Sequence, residues 1–398
     1  MAQQRLQALD SIISTPFITA SFGGEEFGLT SKMKRETRTR EVRYITALDV
    51  AKKASGTVNT YKLGLNYVIE PGADPNYLDL ILSKAQDRTI HFTYGDASQP
   101  EFSYVRERAV ITKVMPNMNL VSNSISYTIE GTSSVSINYT LKRNYPPLVN
   151  VKPSDIIFKE LYENTSNGLL DLFEAMQNRD WVEREGIIAR NDLPVNISGL
   201  QDASPLEYLR FLVSAMRSLD DSFYAMVIHD EDVNPNGHYF SVVNSTLHQG
   251  KGNRYSIEID VGYPSSTPVF GFSASQQTSL AIITPYQEKF DYGRIIDINN
   301  DGSYERTSVP SLAIREGSAS PALLQWWKQI TSFPINAVLK TRGLIRPSIL
   351  CDYIKINIYF FGQKYNYSGY YMVVGQDDHI GMSGYTTSLS LVRIKGDF

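Results

Sequence analysis

The sequence is poor in the groups that most often carry chemistry. Its 398 residues include one cysteine, five histidines and three tryptophans. A lone Cys351 excludes an intramolecular disulfide and fits a chain kept in a reducing compartment. Cys/His zinc pairs and an H-E-x-x-H helix are absent, "GFSAS" lacks the last glycine of a nucleophile elbow, and "GKGNRY" lacks the third glycine of a phosphate-binding loop. A hydrolase built on two carboxylates needs no fixed spacing, so that alternative stays open. Charge of one sign is also missing: 38 Lys+Arg stand against 42 Asp+Glu, a formal charge of −4. There is no basic field for nucleic acid or an anionic membrane. No apolar run approaches the ~18 residues of a membrane span, and "MAQQRLQALDSIISTPF" lacks a basic stretch followed by an apolar one. The expectation is a soluble, unexported protein. Its N-x-[ST] matches at Asn138, Asn164, Asn196, Asn244 and Asn366 are then chance matches rather than glycan sites.

What is present points to strands. Twenty-five tyrosines and 18 prolines in a chain of low charge favour many β-strands and turns, and tyrosine suits interfaces. Residues 1–147 read as a barrel or sandwich with one helix: Asp74 before Pro75 marks the helix start, Leu78, Ile81, Leu82 and Ala85 form its apolar face, and the "NSISYTIEGTSSVSINYTL" run alternates. "NYPPLVNVKP" is the linker candidate, because Pro146, Pro147 and Pro153 interrupt ladders and helices alike. Residues 148–253 read as an inserted α+β domain, with Leu169, Leu172, Phe173 and Met176 on one helix face and Ser204-Pro205-x-Glu207 as a capping box. Residues 254–334 form an irregular connecting region with a helix start at Ser320-Pro321, and residues 335–398 are almost pure strand pattern.

Five stretches could carry a site. In "DINNDGSYE", Asp297, Asn299 and Asp301 occupy positions 1, 3 and 5 of a calcium loop, with Gly302 at the sharp turn; position 12 is Ser308 instead of a bidentate Glu, and a hairpin turn explains the same residues. "QDDHIG" offers Asp377, Asp378 and His379, but alternation puts Asp377 and His379 on one face and Asp378 on the other, so the expected reading is a polar turn with Gly381 and Gly384. "IHDEDVNPNGH" clusters His229, Asp230, Glu231, Asp232 and His238, expected as a solvated loop between two strands. Lys32, Lys34, Arg35, Arg38, Arg40 and Arg43 fill twelve positions without an interleaved aromatic, as a solvated loop or subunit contact would. Cys351 sits in the strand pattern "ILCDYIKINIYFFG" rather than at a helix start, so it is not placed as a nucleophile.

Two segments resemble a known family. "NTYKLGLNYVIEPGADPNYLDLILSKAQDRTIHFTYG", with "AVITKVMPNMNLVSNSISYTIEGTS" after it, is similar to the tube-type β-barrel with one helix of bacteriophage contractile-tail baseplate hub proteins. "GYYMVVGQDDHIGMSGYTTSLSLVRI" resembles the family's closing hairpin at Val374, His379, Gly384, Tyr385, Thr387, Leu389, Leu391 and Arg393. The resemblance implies an α+β, β-rich fold, with two tube-type β-barrel domains each carrying a helix and an inserted α+β middle domain. It further implies a non-enzymatic homotrimer in the baseplate of a virion tail, made in the host cytoplasm. Its partners would be the central spike protein, the tail tube or tube-initiator protein, and baseplate wedge proteins. Beyond the calcium loop no cofactor is expected. The alternatives are a tail-associated cell-wall hydrolase and a peripheral receptor- or carbohydrate-binding tail protein.

Overall fold

The computed structural model describes residues 15–29, 42–54, 56–69, 71–72, 74–84, 88–96, 104–133, 142–164, 173–216, 224–231, 238–244, 257–261, 269–276, 279–282, 294–298, 304–306, 335–344 and 348–396. Strands dominate. The N-terminal set is β1 (Pro16–Phe22), β2 (Glu25–Gly28), β3 (Val42–Lys53), β4 (Thr60–Val68), β5 (Thr89–Asp96), β6 (Val105–Asn119) and β7 (Ser124–Ser133), with helix α1 (Tyr77–Lys84) between β4 and β5. The helix begins after Pro75: the Asp74 carboxylate takes the Asn76 N–H at 2.9 Å and closes the turn that leads into it. Leu78 and Ile81 then face inward.

The middle region starts with β8 (Arg143–Tyr145) and β9 (Leu148–Val151), separated by Pro146 and Pro147. It continues through α2 (Pro153–Tyr162), a 3₁₀ turn (Glu174–Gln177), α3 (Arg179–Glu185), β10 (Val195–Ile197), β11 (Leu200–Ala203), α4 (Pro205–Ala215), β12 (Tyr224–His229) and β13 (Tyr239–Asn244). Both bonds of the capping box at α4 are made: Ser204 Oγ accepts from Glu207 N at 3.2 Å, and Glu207 Oε2 accepts from Ser204 N at 2.7 Å. Short pairs β9/β10, β8/β11 and β12/β13 complete the region.

The remaining strands are β14 (Ile257–Val261), β15 (Val269–Gln276), β16 (Ser279–Ile282), β17 (Arg294–Ile298), β18 (Tyr304–Arg306), β19 (Ile335–Arg342), β20 (Tyr353–Phe360), β21 (Gln363–Lys364), β22 (Gly369–Gly381) and β23 (Gly384–Gly396). One large sheet runs in the order β15-β19-β23-β22-β3-β4-β7-β6-β5-β1-β2, with β20 branching from β22 and pairing β14 in parallel. Hydrogen bonding is an open path ending at β2 among the described residues, while β1 packs back against β22 and β2 against β3.

Three apolar cores form among the described residues. The first takes residues from Ile18 to Ile129 together with Ile380 and Tyr385; the second is built from Tyr145 to Val242; the third from residues 335–391 with Ala225 and Val227. Three strands belong to more than one core, β23 giving Tyr385 to the first and Leu389 and Leu391 to the third. On β12, Tyr224, Met226 and Ile228 face the second core while Ala225 and Val227 face the third, which explains the unbroken apolar run "YAMVI". On β22, Tyr371, Met372 and Val373 enter the third core and Ile380 the first, on either side of an irregularity at Val373/Gly375.

Several expectations change here. The "QDDHIG" segment is strand, not turn: β22 pairs β3 from Gly375↔Lys53 to Gly381↔Ala47, and the hairpin turns only at Met382-Ser383. A non-local partner strand extends a ladder that local polarity suggested had ended. Cys351 is not in a strand either. It is buried in a turn before β20 at φ +67, and burial, helped by Asp352, pushes its thiol up to about 12. At the far end of β20, Phe361 and Gly362 both have positive φ, +51 and +82, and Phe361 is fully exposed. Glycine is at ease in that region; phenylalanine is not.

Candidate functional site

The calcium-loop residues separate at the limit of description: Asp297 lies in β17, whereas Asn299 and Asp301 lie outside the described residues. Lys32, Lys34, Arg35, Arg38 and Arg40 of the basic run, the 135–141 strand pattern and the Ser320-Pro321 helix start also lie outside them. Among the described residues no group of three or more His, Cys, Asp or Glu is arranged to hold a metal ion. Asp377 and His379 are exposed on one face of β22, and Asp378 is buried on the other, as alternation required.

That split separates two polar arrays. On the outer face, cross-strand neighbours form a row His379–Asp49–Lys62–Glu130–Lys113 over β22, β3, β4, β7 and β6. His379 Nδ1 and Asp49 Oδ1 are 2.5 Å apart, and their side chains stay about half exposed. From Asp49 to Lys113 the charges alternate, so each of those neighbouring pairs attracts. The row borders an open groove of ≈ 770 Å³ lined also by Asp377 and Lys340.

On the inner face the charges are dry. Lys52 of β3 is bonded to Glu107 of β6, and both are about 1–2% exposed. Tyr94 of β5 donates to Glu107 Oε2 at 3.1 Å. Burial is the largest influence on Glu107 and outweighs Lys52, raising its carboxyl to about 7. Asp378 accepts from Gln376 Nε2 at 2.7 Å and Thr387 Oγ1 at 2.6 Å; burial, opposed by Lys52, raises it to about 6. Burial also pushes Tyr61, Tyr94 and Tyr385 well above the ordinary phenol range.

Asp230 is the third buried carboxylate, and sequence reading placed it wrongly. Asp230 and His238 were expected in a solvated loop, yet each is 1% exposed. Asp230 Oδ2 accepts from Asn59 Nδ2 at 2.8 Å, Tyr61 OH at 3.1 Å and Ser133 Oγ at 2.5 Å. Arg108 Nε donates to His238 Nε2 at 2.7 Å, which leaves the imidazole proton on Nδ1, 3.1 Å from Asp230 Oδ1. Burial alone would raise Asp230; bonds from His238, Ser133 and Asn59 overcome it and hold the carboxyl below its ordinary value. Backbone contacts seat the same segment: Arg108 N donates to Asp230 O at 3.1 Å and Gly56 N to Met226 O at 2.7 Å. The short polar run hid this because its partners, Asn59, Tyr61, Arg108 and Ser133, are 97 or more residues away in the chain.

Raised carboxyls can hold and pass protons. The two raised carboxyls, Glu107 and Asp378, are like Asp230 only 1–2% exposed, and the cluster joins parts of the chain distant in sequence.

Comparison with known proteins places the fold. No protein-family model and no curated protein sequence matches the chain. The tail protein of Neisseria meningitidis MC58 matches with a TM-score of 0.50, covering 95% of this chain and 97% of its own, at 9% identity. The 43 kDa tail protein of prophage MuSo2 from Shewanella oneidensis gives a TM-score of 0.51 with the same coverage and 9% identity. An E. coli component of the type VI secretion system, described as structurally similar to the T4 bacteriophage tail proteins gp27 and gp5, gives 0.50 over 91% of this chain and 76% of its own, at 7% identity. The chain has a β-rich, tail-protein fold. The family resemblance read from the sequence is met at the level of that fold.

Proposed function

We propose that the protein is a structural hub of a contractile tail baseplate in a virion: a homotrimeric, non-enzymatic adaptor that joins the tail tube to the central spike and contacts the wedge proteins. The end-to-end fold likeness to two tail proteins, over 95% of this chain and 97% of each of theirs, carries the reading. A likeness over one part could reflect a shared module grafted onto another task. In such a trimer two tube-type domains per chain form the ring, adapting a sixfold tube to a threefold spike.

Light scattering on the purified chain, alone and mixed with its spike, tests the proposal. The expected result is a mass of three chains in at least one condition. A strict monomer at high concentration with spike present overturns it. Calcium at Asp297, Asn299 and Asp301 remains a proposal with its own readout: a melting temperature that rises with calcium and falls with chelator, because a ligand bound only by the folded state stabilises it.

A further inference from the structure

Three parts of the chain meet through one set of buried ionisable groups. Lys52, Tyr61, Tyr94 and Glu107 come from the N-terminal strands, Asp230 and His238 from the middle region, and Asp378 and Tyr385 from the β22–β23 hairpin. Three further charged or titratable groups face this set: Glu231, whose backbone bridges that of Glu107 and which Lys52 and His229 attract; His229 itself; and Arg108 of β6, which bonds His238. Asp230 is served by donors from Asn59, Tyr61, Ser133 and His238 and keeps its charge. Lys52 is left between Glu107, to which it is bonded, and Asp378, which it attracts. Glu107 and Asp378 thus compete for one buried ammonium, which also attracts Glu231, and each disfavours ionisation of the other.

We propose that the middle region is held on the N-terminal strands by a proton-linked clasp: while Asp230 sits among Asn59, Tyr61 and Ser133, the Glu107/Asp378 pair keeps one proton, and unseating the region admits water and releases that proton to solvent. No electron moves; one carboxyl O–H bond breaks and the proton passes to water. The sign follows from the raised carboxyls. The seated form binds more protons than the open form, so seating is strongest in acid, weakens as pH rises towards about 7 and levels above it. His238 belongs to the same seat, with Nδ1 on Asp230 Oδ1 and Nε2 taking the Arg108 Nε–H.

Hydrogen exchange on the full chain between about pH 5 and about pH 8, expressed as protection factors so that the base catalysis of exchange divides out, distinguishes these outcomes. Amides of Gly56 and Arg108 report the seat, since they bond Met226 O and Asp230 O of the middle region. Amides of Leu209 and Leu212, inside α4, report whether the middle region stays folded. We expect seat protection to fall up to ~tenfold per pH unit towards pH 7 and then level, the slope of one released proton. Glu107→Gln should flatten the slope, and Asp230→Asn should lower seat protection at every pH while α4 stays protected. Should Glu107→Gln fail to protect α4, Asp378→Asn provides the same reading. A seat protection that is constant with pH, that rises with pH, or that keeps its slope in the Glu107→Gln and Asp378→Asn variants overturns the clasp.

Discussion

Asp49 and Lys52 lie three residues apart on β3, one on each face of the strand, and their surroundings differ in kind. Asp49 is about half exposed, meets His379 across the ladder and starts the alternating row Asp49–Lys62–Glu130–Lys113. Lys52 is 2% exposed and bonded to an equally buried Glu107. Outside, water screens each charge, and an ion pair contributes ~0.2–1 kcal/mol at most. Inside, the pair has given up its hydration, so it contributes little net stability while intact but loses several kcal/mol when one partner is removed. The outer row therefore tunes a surface, whereas the inner cluster dictates which parts of the chain can sit together.

The largest test of this contrast is Asp230→Ala, which strands Asn59, Ser133, Tyr61 and His238 in a dry site. Chemical denaturation should show a loss of ~3–5 kcal/mol; a loss below ~1 kcal/mol would put the inner face on the same footing as the outer. Gly343→Ala probes packing without touching charge. Its added Cβ would lie 2.1 Å from Cγ of Tyr385, so the ring or the backbone must move. Calorimetry should register about 1–3 kcal/mol of destabilisation, and a variant that melts with the parent would mean the interior yields easily. Tyr385→Phe keeps the ring and removes the bond from its hydroxyl to Leu344 O at 3.0 Å. A loss near ~1 kcal/mol is expected from the melting curve, with a null result showing that the carbonyl finds another donor. The smallest effect belongs to Lys62→Ala on the outer row, at or below ~0.5 kcal/mol and shrinking further as salt is added. A salt-independent loss above ~1 kcal/mol would show that the row is not a solvated face.

Local signals in the sequence were read well, and non-local ones were not. Ser204-Pro205-x-Glu207 specified the start of α4 because a capping box closes within four residues. Alternation placed Asp377 and His379 opposite Asp378 because strand periodicity is local too. The turn at "QDDHIG" was misplaced because its strand character comes from β3, some 330 residues earlier. Asp230 and His238 were taken for solvated residues because polar composition does not reveal donors waiting elsewhere in the chain. The resemblance to tail hub proteins rested on the order of elements, and order is what the fold comparison retains at 9% identity.

The sharing of β22 between two cores has a consequence for how the molecule comes into being. Ile380 and Tyr385 complete a core whose other members lie between Ile18 and Ile129, so the N-terminal strands cannot finish packing until residues 369–396 have been synthesised and delivered. Contacts of such sequence separation close slowly and leave apolar surface open meanwhile. Shortening the chain by the β22–β23 hairpin should therefore leave the opening 130 or so residues soluble only with help, a dependence of the first-made segment on a late-made one.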